Sequence, residues 1–202
     1  MSFLYIIVKQ NYTKEKGNVK IYLDYLKNIA VAIKRLAITF IKEENKFMNK
    51  FMDYANQEAI RGFMQDAGGP FGAVIVREGK IVASAHNEVL KTNDPTAHAE
   101  VNAIRKAAAR LNKFDLSDCE LYTSCEPCPM CLAAIYWARI TKVYYGCTRY
   151  DAANIGFDDN AIYEYIKFPD KYQENLRLLP LDREQCLMSF QKWQEKQDRI
   201  IY

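Results

Sequence analysis

Three residues of the kind that bind soft or borderline metals stand in two separate stretches of this chain. His98 lies in Pro95-Thr96-Ala97-His98-Ala99-Glu100, and two cysteines lie in Glu126-Pro127-Cys128-Pro129-Met130-Cys131. Any fold that lets them share one ion must bring these two distant segments together. An imidazole and two thiolates are one ligand short of a closed tetrahedral zinc site, so the fourth position is left for water. Cys128 and Cys131 are one helical turn apart and face the same way. Glu100 falls on a different side of its turn from His98 and is a hard carboxylate. It is placed to move the protons of that water and not to bind the metal.

The flanking sequence alternates strand and helix signals. A helix is expected from about Lys46 to Gln65, with Phe47, Phe51, Tyr54, Ala55, Glu58, Ala59 and Phe63 on one face, stopped at Asp66-Ala67-Gly68-Gly69-Pro70. Phe71 to Val76 and Ile81 to His86 read as a hairpin around Arg77-Glu78-Gly79-Lys80, and Asn87 to Asp94 as a polar loop. A helix from Ala97 to Leu111 puts His98 in its first turn, with Val101, Ile104 and Leu111 as the buried stripe. Cys119 to Ser124 reads as a strand that turns through Glu126-Pro127 into a helix reaching about Arg139. Lys142 to Cys147 is another strand, Asn160 to Ile166 a short helix or strand, Leu176 to Leu181 a last strand, and Arg183 to Asp198 a helix. This pattern predicts a three-layer α/β/α sandwich with a mixed sheet of about five strands.

With 202 residues, half of them apolar, the chain is long enough for one well-buried domain but not for two. Residues 48–202 are assigned to that domain and residues 1–47 to an N-terminal extension. Residues 1–47 hold nine Lys or Arg against four Asp or Glu, a balance of +5, so the rest carries −2 of the chain's +3. A slightly acidic chemical portion argues against a nucleic-acid partner. From Ile21 to Ile41 apolar residues recur at helical spacing, while Asp24, Lys27, Lys34 and Arg35 exclude a membrane span. That helix is open to packing on the domain, meeting a partner or lying on an anionic membrane surface. It is also open to being an upstream extension, with translation starting at Met48 or Met52. Six cysteines, two of them in metal spacing, and no signal-peptide pattern point to the cytoplasm.

Two bland readings compete at the site. Cys125 precedes Cys128 by three residues and would close a structural Cys3His centre, but Pro127 and the strand end are expected to aim it away. Such a centre would also have no use for Glu100. His86, the only other histidine, sits at a strand end as a lesser candidate ligand. The H-x-E and P-C-x-x-C pairing is the signature of zinc deaminases that act on nucleobases. There zinc brings bound water to near-neutral pKa for attack on an amidine-like carbon, while the glutamate protonates the ring nitrogen and helps expel ammonia.

Longer stretches carry a narrower resemblance. Gly68-Gly69-Pro70-Phe71-Gly72-Ala73, Asn93-Asp94-Pro95-Thr96-Ala97-His98-Ala99-Glu100, Leu121-Tyr122-Thr123-Ser124-Cys125-Glu126-Pro127-Cys128-Pro129-Met130-Cys131, Ala134-Ile135-Tyr136-Trp137-Ala138-Arg139 and Gly156-Phe157-Asp158-Asp159 resemble guanine deaminases of the cytidine deaminase-like fold. The resemblance runs from about Met48 to Tyr202. It implies one zinc per chain on His98, Cys128 and Cys131, with Glu100 as proton shuttle. It also implies that Asn87 and the Ala99 backbone contact the purine, Phe71 and Trp137 pack on its ring, and Asp159 reads the departing amino group. A homodimer that exchanges C-terminal segments, Tyr202 reaching over the partner's pocket, is part of the same expectation. The activity so implied is conversion of guanine to xanthine and ammonia, in the cytoplasm. Alternatives are action on guanosine or a related aminopurine or triazine, a tRNA adenosine deaminase, and a zinc-stabilised interaction module without activity.

Overall fold

Strand β1 (Gly72–Arg77) is apolar on both faces, and the fold follows from where those faces go. Its residues alternate between two clusters. Ala73 and Ile75 enter the larger one, with Leu121, Ala99, Ala103, Ala107 and Ile135. Val74 and Val76 enter a smaller one, with Ala55 and Tyr122. A strand buried on both sides needs a layer of helices on each, so the sheet is the middle of three layers.

The computed structural model describes residues 24–35, 49–172, 174 and 176–201. The chain divides into two units, Met1–Met48 and Asn49–Tyr202. In the first, residues 24–35 form helix α1. The second holds, in order, α2 (Lys50–Met64), β1, β2 (Lys80–His86), α3 (Val89–Thr92), α4 (Ala99–Leu111), β3 (Glu120–Cys125), α5 (Pro129–Trp137), β4 (Lys142–Cys147), α6 (Arg149–Asn154), α7 (Asn160–Lys167), a 3-10 turn (Pro169–Tyr172) and α8 (Arg183–Glu195). Strand order is β2-β1-β3-β4. β1 is antiparallel to β2 and β3, and β3 is parallel to β4, so the sheet is mixed as expected.

The β1–β2 hairpin closes through Glu78 and Gly79, at φ 50° and 70°, the left-handed pair that matches strand twist in a two-residue loop. α2 covers one face of the sheet with Ala55, Glu58, Ala59 and Gly62. α4 covers the other, and its buried stripe is Ala99, Ala103 and Ala107 with Glu100 and Asn102. Val101, Ile104 and Leu111, the stripe expected from apolarity, are only partly buried. Small side chains let the helix lie close on the sheet, and the larger ones take its flanks. The free edge of β2 is covered from α4: Arg110 donates to Val82 O at 2.9 Å and Lys106 to Ser84 O at 3.4 Å.

Two expectations change. Among the described residues the sheet has four strands, not about five, since Leu176 to Leu181 forms no strand. A strand exists only against a partner edge, and the segment's Leu178, Leu179 and Leu181 stand 76–80% exposed. The stretch from Asn87 to Asp94, expected as a loop, contains the short helix α3, and α6 was not foreseen at all.

Candidate active site

Two helices begin at the same place, and each begins with a metal-type ligand. His98 is the N-cap of α4 and Cys128 the N-cap of α5; both are in extended backbone geometry and neither makes a side-chain capping bond. Caps normally turn inward to their own helix. Here the side chains turn away and meet. His98 therefore stands one residue before its helix, which starts at Ala99 and not Ala97. His98 Nδ1 lies 3.6 Å from Cys128 Sγ and 3.5 Å from Cys131 Sγ. Zn–N near 2.0 Å and Zn–S near 2.3 Å at a tetrahedral angle require an N···S separation of about 3.5 Å, so the triad fits zinc. Among the described residues these three form the one cluster of this kind.

Protonation in the cluster points the same way. The Cys128 thiol is drawn well down, first by the hydrogen bond from Cys131 and also by His98, while burial tends to oppose the shift. Cys131, the donor, is pushed up, and the bond to Cys128 raises His98. A divalent cation resolves such a competition for protons by taking a lone pair from each group. The N-H groups at two helix starts add partial positive charge beside the thiolates. Cys125 is not part of the cluster: its thiol, raised to about 12 chiefly by burial, donates to Thr148 O at 3.5 Å.

Glu100 is 5% exposed, and burial raises its pKa. Thr123, fully buried on β3, donates from Oγ1 to Glu100 Oε1 at 3.1 Å, and Cys131 Sγ is 3.4 Å from Oε2. A carboxylate that favours its proton more than usual, beside a metal site, is suited to shuttling it.

A cavity of about 660 Å³ opens over the cluster, with Phe71, Asn87, His98, Glu100, Cys128 and Asp159 in its wall. Asn87 Oδ1 is held by Val89 N at 3.1 Å, leaving the amide nitrogen as the group available to a ligand. Gly68 makes room for that amide, since a Cβ there would fall 2.0 Å from Asn87 Oδ1. Asp159 is the N-cap of α7 yet makes no capping bond, because Asp158 bonds Asn160 N at 2.9 Å instead. Burial raises the Asp159 pKa, and the neighbouring Cys128 raises it further.

Two expected substrate contacts stand apart from this wall. Ala99 is fully buried and does not line the cavity. Trp137 is 65% exposed and does not line it either. It ends α5, six residues and about 9 Å along the helix axis beyond the ligand Cys131. Tyr202 lies outside the described residues. The aromatic partner that Phe71 does have is Phe157, edge-on with centroids 5.0 Å apart. Phe157 stood in a motif already singled out, but nothing in it assigned the ring a role. Arg149 was missed too; it lines the cavity, with its guanidinium 4.7 Å from the Tyr163 ring centroid, and its backbone N-H donates to Glu126 Oε2 at 3.0 Å. Neither its spacing nor its neighbours in the sequence gave a signal.

Known proteins share this arrangement. Residues 45–147 match the model of the cytidine and deoxycytidylate deaminase zinc-binding region. A guanine deaminase of Bacillus subtilis is 49% identical over 152 residues, 75% of this chain and 97% of that protein. A crystal structure of the guanine deaminase from that organism superposes with a TM-score of 0.73 at 47% identity, covering 77% of this chain and 99% of that one. A tRNA-specific adenosine deaminase of Aquifex aeolicus is 48% identical, but over 95 residues, 47% of this chain and 62% of its own length. With its ligand triad at zinc spacing and more than half its length under that model, the chain belongs to the cytidine and deoxycytidylate deaminase zinc-binding family.

Proposed function

We propose that this protein is a zinc-dependent guanine deaminase, converting guanine and water to xanthine and ammonia. The observation that carries the reading is 49% identity along nearly the whole length of the Bacillus subtilis guanine deaminase, against a match to half a chain for the tRNA deaminases. The cavity agrees with a flat base: apolar rings at Phe71 and Phe157, and few polar groups, among them Asn87 and Asp159.

Zinc held by His98, Cys128 and Cys131 supplies a Lewis acid that makes water nucleophilic at neutral pH. The rest falls to side chains. The Asn87 amide nitrogen donates to an acceptor on the purine, and Asp159 accepts from the exocyclic amine. As the water oxygen bonds to C2, Glu100 takes one of its protons and gives it to the adjacent ring nitrogen. Glu100 then passes the second proton to the amine; the C2–N bond breaks, ammonia leaves, and the carbonyl of xanthine remains. Thr123 holds Glu100 in place by the bond to Oε1.

The molecule is read as a homodimer with exchanged C-terminal segments, Tyr202 closing the neighbour's pocket. Support comes from apolar side chains with nothing over them: Leu179 and Leu181 at 80%, Phe190 at 68% and, on α5, Tyr136 at 80% exposed. Among the described residues β4 is also an unpaired sheet edge, carrying Tyr144 and Tyr145. Trp137 then belongs to the surface between copies. A reducing compartment, the cytoplasm, suits a chain whose cysteines are all free. Among the described residues no helix is long and apolar enough to cross a membrane.

The test is ammonia release from guanine, guanosine, adenine, cytosine, cytidine and a tRNA anticodon stem-loop. Guanine is expected to lead by orders of magnitude. A preference for the stem-loop would establish the tRNA reading instead.

A further inference from the structure

Directly behind Asn87 lies a second buried polar cluster that contains no residue of the metal triad. Glu58 on α2 is 8% exposed, and its carboxylate accepts from Ser84 Oγ at 2.9 Å, His86 Nδ1 at 3.0 Å and Arg61 at 2.5 Å. His86, the last residue of β2, is 6% exposed. Its Nε2 is buried without a hydrogen-bond partner and faces Glu88 Oε1 at 3.8 Å. α2 is shaped to receive the ring: a Cβ at Gly62 would fall 2.8 Å from His86 Cβ, Cγ and Cδ2.

Asn87 sits between the two residues that meet behind it. Its backbone is held as tightly as its neighbours: Asn87 N donates to Phe71 O at 3.0 Å, Glu88 N to Ala97 O at 2.9 Å, and Asn102 Nδ2 to His86 O at 3.2 Å. A buried carboxylate and imidazole are a poor way to fill space, because apolar side chains of similar volume are often equally or more stabilising. What such a pair adds is direction. The Nδ1–H bond sets the rotation of the His86 ring and anchors the strand end to α2, and the strand end aims the next side chain into the cavity.

We propose that Glu58 and His86 are positioning residues for Asn87, a clasp that fixes the specificity-bearing amide from behind. The proposal rests on the reading of Asn87 as a purine contact. It assigns α2, remote from the reacting atoms, a part in substrate affinity.

The experiment compares zinc-loaded full-length wild type with H86L, H86Q, E58M, N87A and H86L/N87A. With guanine, H86L and E58M should raise KM by about 10-fold, the worth of one buried hydrogen bond, with kcat and zinc content little changed. H86Q, which still donates to Glu58, should recover most of the affinity. In the N87A background H86L should add nothing, because its effect passes through the missing amide. Equal losses in both backgrounds, or an unchanged KM in both H86L and E58M, would overturn the proposal. Hydrogen exchange of the peptide spanning residues 86–92 gives a reading without substrate. It should quicken in H86L and E58M but not in H86Q, and unaltered exchange in all three counts against the clasp. Wild type inactive on guanine sinks the substrate reading alone, and the exchange data then decide the clasp.

Discussion

Replacing Thr123 by valine removes one hydroxyl from the interior and leaves shape nearly unchanged. Thr123 is 0% exposed, and its Oγ1 lies 3.1 Å from Glu100 Oε1. The carboxylate has one other side-chain donor among the described residues, Cys131 at 3.4 Å from Oε2, and a thiol that binds zinc as thiolate no longer donates. Thr123 is then the remaining side-chain group that tells Glu100 where to stand. A hydrogen bond to a charged, buried partner is worth about 1.5–3 kcal/mol; if that energy is spent on aiming the proton shuttle, kcat falls about 10- to 150-fold. The assay is ammonia release at saturating guanine, with zinc per chain measured on the same preparation. Thr123→Val should keep one zinc and lose rate, and Thr123→Ser should restore it. A Thr123→Val enzyme with full zinc and kcat within about two-fold of wild type would refute the argument, since a lost bond of this kind must register.

Glu100→Gln should be inactive and still bind zinc, as a general acid–base contributes typically 100-fold or more to rate without ligating the metal; metal lost in step with activity would make Glu100 a ligand. Cys128→Ser or Cys131→Ser should abolish both zinc and turnover, whereas Cys125→Ser, which replaces a thiol bonded to Thr148 O, should leave zinc content near one per chain. Asp159→Ala should lower kcat together with kcat/KM, because its bond to the departing amine strengthens toward the transition state, while Asn87→Ala should act mainly on KM. Normal guanine kinetics in Asp159→Ala would remove that residue from the mechanism.

The ligand triad and Glu100 were legible in the sequence because their chemistry is local: a two-residue gap between thiols and a two-residue offset from imidazole to carboxylate each specify geometry within one helical turn. The three layers and the mixed strand directions followed from the alternation of strand and helix patterns and from the hairpin; the strand order did not. What depends on packing between distant elements was not legible. Val101, Ile104 and Leu111 outrank alanine on any apolar scale, yet Ala99, Ala103 and Ala107 face the sheet, because contact distance and not hydrophobicity chose the stripe. Thr123 and Glu58 look like ordinary polar residues until β3 passes α4 and β2 passes α2. The fifth strand failed for the opposite reason: Leu176 to Leu181 is rich in leucine but pairs with neither edge of the sheet. Trp137 was placed on the ring by resemblance alone; in one chain it stands 65% exposed and outside the cavity lining.

The two borders of the sheet are unequal. On β2 the carbonyls of Val82 and Ser84 are occupied by Arg110 and Lys106, charged groups that an incoming strand would have to displace and strip of water. β4 has no such plug among the described hydrogen bonds and ends the sheet with exposed tyrosines. A sheet of this kind has a valence of one. It can be extended once, by one strand, and the added strand meets no second docking edge on the same molecule. Two copies can satisfy one another and stop, where a sheet open at both ends would propagate into a fibre. Neutralising Lys106 and Arg110 together is expected to free the β2 carbonyls and leave two open edges in place of one.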